Sequence, residues 1–248
     1  PPAPFSAPRT PFNVALTSQR AVAWAHLPLD AVKGVKREFG CTFNDVVLTL
    51  CSSALRTHLA RVGQAPERDL VALVPVALAA PDGATTGANL LEPVLVSLAT
   101  TVDDPVERLR AVAASAAAAK AREGVLGPGV VQEWAEATVP AVTSAAARVA
   151  AGVRLAERLP PACNVIVSNV AGPPFPLYLA GARVAALVPF GPLVEGVALN
   201  VTVLSHAGSL HAGVVVDRAA VPDVGALAGL LPPALAELES AGRGEARC

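Results

Sequence analysis

Apolar positions along the chain switch between the two-residue period of strands and the longer period of helices, and the switches outline the fold. Ala21 to Leu27 (AVAWAHL) reads as a strand, and Asp30 is placed to cap a short helix that ends at Phe39, with Gly40 as its stop. In NDVVLTLCSSALRTHLARVG, Val47, Leu50, Cys51, Ala54, Leu55 and Leu59 recur at helical spacing while Arg56 and Arg61 stay off that face. This predicts a helix from Asn44 to Gly63. The valine-rich runs Leu70–Leu78 and Pro93–Leu98 read as strands separated by a turn at Pro81-Asp82-Gly83. Asp104-Pro105 opens a helix to Arg122, with proline in the first turn where its missing N–H costs nothing, and a further helical stretch covers Val130–Arg158. Strands follow at Asn164–Asn169, Val184–Val188, Val197–Ser205 and Leu210–Val216, then a helix at Asp223–Leu238 and a frayed tail after Glu239. Helices and strands interleave, but the last strands form a meander with short turns. The pattern therefore predicts an α/β fold with a mixed sheet and flanking helices.

The first 13 residues hold Pro1, Pro2, Pro4, Pro8 and Pro11, a composition that favours an extended, semi-rigid connector. The expected organisation is a proline-rich interdomain linker over residues 1–18, a lobe over 19–241 and a tail over 242–248. Methionine is absent altogether, so the chain reads as processed or as the rear portion of something longer.

Composition narrows the function classes. With 53% hydrophobic and 16% charged residues the chain is not a disordered, solvated polymer. Lys+Arg 19 against Asp+Glu 20 gives no bulk drive toward nucleic acid. A mean hydropathy of +0.51 makes a membrane span worth testing. Two charge-free windows are long enough, but Leu159–Ala182 is broken by Pro160, Pro161, Pro173, Pro174 and Pro176, and Gly196–Val216 carries Asn200, Thr202, Ser205, His206 and His211 around a turn at Ala207-Gly208-Ser209. Neither reads as a transmembrane helix. Cys41, Cys51, Cys163 and Cys248 are scattered without metal-ligand spacing, and there is no signal-peptide architecture, so buried free thiols in a cytoplasmic protein are expected.

There is no phosphate-binding glycine loop, no H-E-x-x-H and no G-x-S-x-G. His26-Leu-Pro-Leu-Asp30 has the spacing of an H-x-x-x-D acyltransferase kernel, but a strand end, a stiff turn and a helix cap account for it locally. His58 reads as a surface residue, and His206 and His211 as flanking a hairpin tip. Two places are sharper. Asn44-Asp45 opens a strongly apolar helix, where capping and a polar role at the edge of a cleft use the same geometry. At Asn164–Tyr178 a valine-rich strand ends in Ser168-Asn169 followed by a Gly-Pro-Pro loop; prolines at this density fix a loop in one shape at a strand end, where sites are commonly built.

These segments resemble the C-terminal domain of the bacterial wax ester synthase/diacylglycerol acyltransferase family. The resemblance runs through TPFN at Thr10–Asn13, LPLDAVKGVK at Leu27–Lys36, NDVVL at Asn44–Leu48, VALVPV at Val71–Val76 and DPVERLRAV at Asp104–Val112. It continues through Asn164–Val184 and Gly191–Gly208, in family order over nearly the whole chain. It implies one lobe of a chloramphenicol acetyltransferase-like, CoA-dependent acyltransferase fold, whose H-H-x-x-x-D-G motif belongs to an N-terminal lobe and supplies the general-base histidine. The family's N-D motif falls on Asn44 and Asp45, in supporting roles, and its S-N-V-P-G-P-P motif on Ser168, Asn169, Val170, Gly172, Pro173 and Pro174, with Ala171 replacing a proline. A G-N turn of the family falls on Ala88-Asn89 with Gly87 displaced, and Asn200 is assigned to the substrate channel. The implied activity is transfer of a long-chain acyl group from acyl-CoA to diacylglycerol or a fatty alcohol. The implied partners are the N-terminal lobe, acyl-CoA as substrate and the acceptor lipid, with no cofactor, metal or nucleic acid. The expected place is the cytoplasm, with peripheral contact to the inner membrane or lipid bodies. The competing expectation is a non-catalytic lipid-binding or interaction module that keeps the fold; a weaker one is the condensation half of a peptide-synthesis enzyme.

Overall fold

The structure is a computed structural model that describes residues 2, 3, 5–77, 91–126 and 159–245. The expected turn at Pro81-Asp82-Gly83, the Ala88-Asn89 turn, the helical stretch Val130–Arg158 and Cys248 lie outside those residues. In chain order the elements are β1 (Arg20–Pro28), α1 (Leu29–Glu38), α2 (Phe43–Arg61), β2 (Val71–Ala77), β3 (Leu91–Ser97) and α3 (Pro105–Leu126). After these come β4 (Val165–Ala171), β5 (Tyr178–Leu179), β6 (Ala182–Arg183), β7 (Leu199–His206), β8 (Ser209–Asp217), α4 (Val224–Ala228) and α5 (Leu231–Glu245).

Six strands form one mixed sheet in the order β1-β8-β7-β4-β2-β3, parallel at β2–β4 and β4–β7 and antiparallel elsewhere, as the interleaved pattern predicts. Alternation decides which side chains enter the core: Leu27, Ala72, Val96, Val165, Val167, Leu199, Val201, Leu210 and Val214 all face one way. The helices cover that face, burying Val32 and Val35 of α1, Val47, Leu50 and Leu55 of α2, Leu109 and Val112 of α3, and Leu235 and Leu238 of α5. A smaller cluster of Ala7, Val71, Cys163, Ile166 and Val197 lies apart from this core. No helix among the described residues is long and apolar enough to cross a membrane.

Several local expectations change. The proline-rich opening, whatever segments it joins, is strapped to the body. Phe12 is fully buried, and the Asn13 Nδ2 donates to the carbonyls of Cys163 (2.8 Å) and Gly196 (3.0 Å). Prolines keep this stretch out of the sheet, and Phe12 and the Asn13 amide are two of the contacts that dock it. Asp30 does not cap α1: the N-cap is Pro28, without a side-chain hydrogen bond, and Asp30 lies in the first turn. The strand expected at Val184–Val188 does not form; the short β5–β6 hairpin before it ends at Arg183. β8 is already paired on both edges, and the following chain passes over it with the Pro189 carbonyl against Gly213. The helix expected at Asp223–Leu238 breaks at Gly229-Leu230, because Pro232 and Pro233 cannot donate to a preceding turn and the helix must restart with them in its first turn. It then runs to Glu245, so the part of the expected frayed tail that lies among the described residues is helical.

Candidate active-site cleft

β4 and β7 are parallel, with Ile166 opposite Asn200 and Ala171 opposite Ser205, so both end on the same side of the sheet. Beyond carboxyl ends of parallel strands is where open α/β sheets bind ligands. Here a cleft of about 440 Å³ is lined by Leu29, Asp30 and Lys33 of α1, Phe43 of α2, Asn169, Ala171, Gly172 and Pro174 at the end of β4, and Ser205 to Gly208 at the β7–β8 turn. Such a volume suits the arm of an extended small molecule.

The walls are held by backbone contacts. The Leu29 amide donates to the Gly208 carbonyl at 3.2 Å, the Ala207 amide to the Pro173 carbonyl at 3.4 Å, and the Gly172 amide to Ser205 Oγ at 3.4 Å. Gly172 permits this approach. A Cβ there would press on the Ser205 carbonyl oxygen and stand 2.8 Å from Leu204 Cδ2. The amino ends of α1 and α2 both meet the cleft, so their dipoles favour negative charge at its edge.

The residues expected at the site separate into three groups. Asn169, Gly172 and Pro174 line the cleft, while Pro173 supports it through its carbonyl. Asn44 and Asp45 stand next to Phe43 at the start of α2, but the two differ. Asp45 completes a capping box on the N-cap Thr42: its carboxylate accepts from the Thr42 amide at 2.8 Å, and Thr42 Oγ1 accepts from the Asp45 amide at 3.2 Å. Asn44 is half-buried, with no side-chain hydrogen bond among the described residues. Ser168 and Asn200 are not brought to the cleft. Alternation turns them away from the helix-covered face, and Asn200 is buried with Nδ2 on the Pro192 carbonyl (2.9 Å) and Oδ1 accepting from Thr202 (2.8 Å). It ties the loop before β7 to the sheet.

Asp30, Lys33, Phe43, Ser205 and His206 were not singled out for the cleft from sequence, although LPLDAVKGVK and the segment before Gly208 carry them. His206 and His211, expected beside an exposed hairpin tip, are 3% and 4% exposed. His58, expected at the surface, is half-buried, stacks on Phe12 with ring centroids 6.1 Å apart, and burial lowers its pKa. His26 pairs with Ser209 Oγ at 3.1 Å instead of with Asp30, in keeping with a coincidence of spacing. Burial pushes the thiol of Cys51 up to about 12 and that of Cys163 up to about 11, which makes both poor nucleophiles.

Residues 88–239 match the WS/DGAT C-terminal domain, and residues 1–47 match the wax ester synthase/diacylglycerol acyltransferase catalytic domain. The probable diacylglycerol O-acyltransferase tgs2 of Mycobacterium tuberculosis is 38% identical over 241 residues, covering 96% of this chain and 51% of that protein. A second M. tuberculosis relative bearing the diacylglycerol O-acyltransferase name is 40% identical over 238 residues, covering 96% and 52%. The chain thus spans about half the length of the curated relatives it matches. Among solved structures, the wax ester synthase/diacylglycerol acyltransferase of Marinobacter aquaeolei VT8 superposes with a TM-score of 0.72 at 30% identity, over 95% of this chain and 52% of that one. The nonribosomal peptide synthetase FmoA3 shares the fold, with a TM-score of 0.58 at 19% identity over 97% of this chain and 23% of that one. The match over residues 88–239, in a chain whose strand ends build this cleft, places the protein in the wax ester synthase/diacylglycerol acyltransferase family, of which it carries the C-terminal domain.

Proposed function

We propose that this chain is the C-terminal lobe of an O-acyltransferase that moves a long-chain acyl group from acyl-CoA to diacylglycerol or a long-chain alcohol. The observation that carries the reading is the cleft beyond β4 and β7, whose wall is built from Asn169, Gly172 and Pro174 of the family-like motif. A histidine of the N-terminal lobe takes the proton of the acceptor hydroxyl, whose oxygen attacks the thioester carbonyl. The new C–O bond forms, the C–S bond breaks, and the imidazolium returns its proton to the departing CoA thiolate. No resident cofactor or metal enters this scheme.

In this reading the present lobe positions and does not abstract. Asn169 presents an amide at the wall, the two helix amino ends favour the developing oxyanion, and the unengaged amide of Asn44 orders the reacting centre from beside Phe43. The rigid Pro173-Pro174 exit fixes the channel edge, and Ser168 and Asn200 support it from behind. In this reading the protein works in the cytoplasm, and an apolar acceptor favours contact with a membrane or lipid body.

The test is CoA thiol release by the complete two-lobed protein and by this chain alone, with diacylglycerol and fatty alcohol acceptors. Release is expected from the complete protein only. Asn44→Ala in the complete protein should lower kcat/KM by about tenfold or more, the scale of one lost transition-state donor. Release by this chain alone would overturn the assignment of the base to the other lobe, and unchanged kinetics in Asn44→Ala would remove that residue from the centre.

A further inference from the structure

A second cleft, of about 250 Å³, is lined by Arg183, Val184, Ala185, His206, Ala207 and Ser209, and shares His206 and Ala207 with the first. Its polar groups are unusual in what they lack. His206 is 3% exposed, yet its Nε2 has no hydrogen-bond partner among the described residues, and a buried imidazole nitrogen left unpaired is costly enough to call for an explanation. Arg183, at the end of the β5–β6 hairpin, is exposed and forms no ion pair among the described residues.

The surroundings reinforce the sign. Strand register puts His26 directly opposite His211, and alternation puts His206 on the same sheet face as both. Ser209 Oγ meets His26 Nε2 at 3.1 Å, and the His26 and His211 rings lie 5.4 Å apart. Among the described residues no carboxylate lines this cleft; Asp30 lines only the first. One permanent cation, a buried imidazole with an unused nitrogen and a hydroxyl thus share a small cavity without an opposing acid. A carboxylate would be satisfied by the guanidinium fork alone, whereas an anion with three oxygens can use all three side chains.

We infer that Arg183, His206 and Ser209 form a subsite for a phosphate monoester. The inference stands on these side chains and does not depend on acyl transfer in the first cleft. A phosphate monoester can arrive on a soluble nucleotide or on a lipid headgroup, and the two are separable by experiment.

In the complete protein, binding of adenosine 3′,5′-bisphosphate is measured by calorimetry. Binding to phosphatidylcholine vesicles, with and without phosphatidic acid, is measured by sedimentation. Arg183→Gln, an exposed change that leaves the core intact, is expected to weaken the phosphate-bearing probe by about tenfold or more, the scale of a charge-assisted hydrogen bond, and His206→Phe by a smaller factor in the same direction. Neither variant should alter binding to neutral vesicles. Loss confined to the nucleotide identifies a soluble ligand, and loss confined to phosphatidic acid a headgroup; either supports the subsite. The inference is overturned if the wild type binds no phosphate probe, if Arg183→Gln binds every probe as the wild type does, or if His206→Phe, folded by circular dichroism, retains full affinity.

Discussion

Gly172→Ala probes the link between packing and the cleft most directly. Gly172 follows β4, one position beyond the Ala171–Ser205 pair, and it lies outside the left-handed region, so the substitution tests space alone. The added methyl would meet the Ser205 carbonyl oxygen inside contact distance, with Leu204 Cδ2 at 2.8 Å and Cγ at 3.2 Å. Leu204 can rotate aside, but the carbonyl can retreat only if β7 moves. Overpacking of this kind costs about 1–3 kcal/mol. For a domain of this size each kcal/mol lowers Tm by roughly 2–4 °C. Gly34→Ala is the control: no heavy atom lies within 4 Å of its Cβ position inside α1, so it should stabilise by about 0.5–1 kcal/mol. Thermal unfolding followed by circular dichroism reads both. Amide exchange reads the cleft, because a displaced Ser205 releases the Gly172 amide, which should exchange faster. If Gly172→Ala is as stable as the wild type while Gly34→Ala gains as expected, the close approach of β4 and β7 is not what shapes this wall.

Two further perturbations test how the amino-terminal strap is held. Asp217 is fully buried. Burial alone would raise its pKa, but hydrogen bonds from the Thr17 and Ala219 amides and the Thr17 hydroxyl, with the charge of Arg20, outweigh that and hold it below the usual carboxylate range. A folded-state pKa below the unfolded one means the stabilisation is complete above about pH 4 and fades as pH falls through the folded value. Asp217→Asn should therefore cost about 1–3 kcal/mol at neutral pH in urea unfolding, with the deficit shrinking below about pH 4; a constant deficit would contradict the ionic origin. Asn164 accepts from the Val71 amide at 2.9 Å and donates to Pro8 O at 2.6 Å and Asn13 Oδ1 at 2.8 Å. Asn164→Ala should destabilise by about 1–3 kcal/mol for each group left unpaired and speed proteolysis within residues 8–13, and unchanged cleavage there would show that Asn164 is not what holds the strap.

Legibility varied from element to element. β1, α2, β7 and β8 were readable because their apolar residues repeat with the period of the element over many positions. The restart at Leu231 was hidden inside a continuous apolar run, although Pro232 and Pro233 are its visible cause. Within the site, Ser168-Asn169 illustrates the limit. Both were marked by their place at a strand end, but adjacent residues on a strand face opposite ways, and only Asn169 reaches the cleft. Asp30 and Lys33 come to the same cleft from more than 130 positions away, through helix packing that no local pattern encodes.

By itself the sequence determined the mixed α/β class and the burial of Cys51 and Cys163. Each of these depends on periodicity or on chemistry within a few residues. Tertiary structure decided that the proline-rich opening is strapped to the sheet, that Asn200 ties a loop instead of facing the cleft, and that His206 is buried in a cleft it shares with Arg183, with a nitrogen that has no partner among the described residues. Those outcomes depend on strand order and on which face of the sheet the helices cover, and both are set by contacts between segments far apart in the chain.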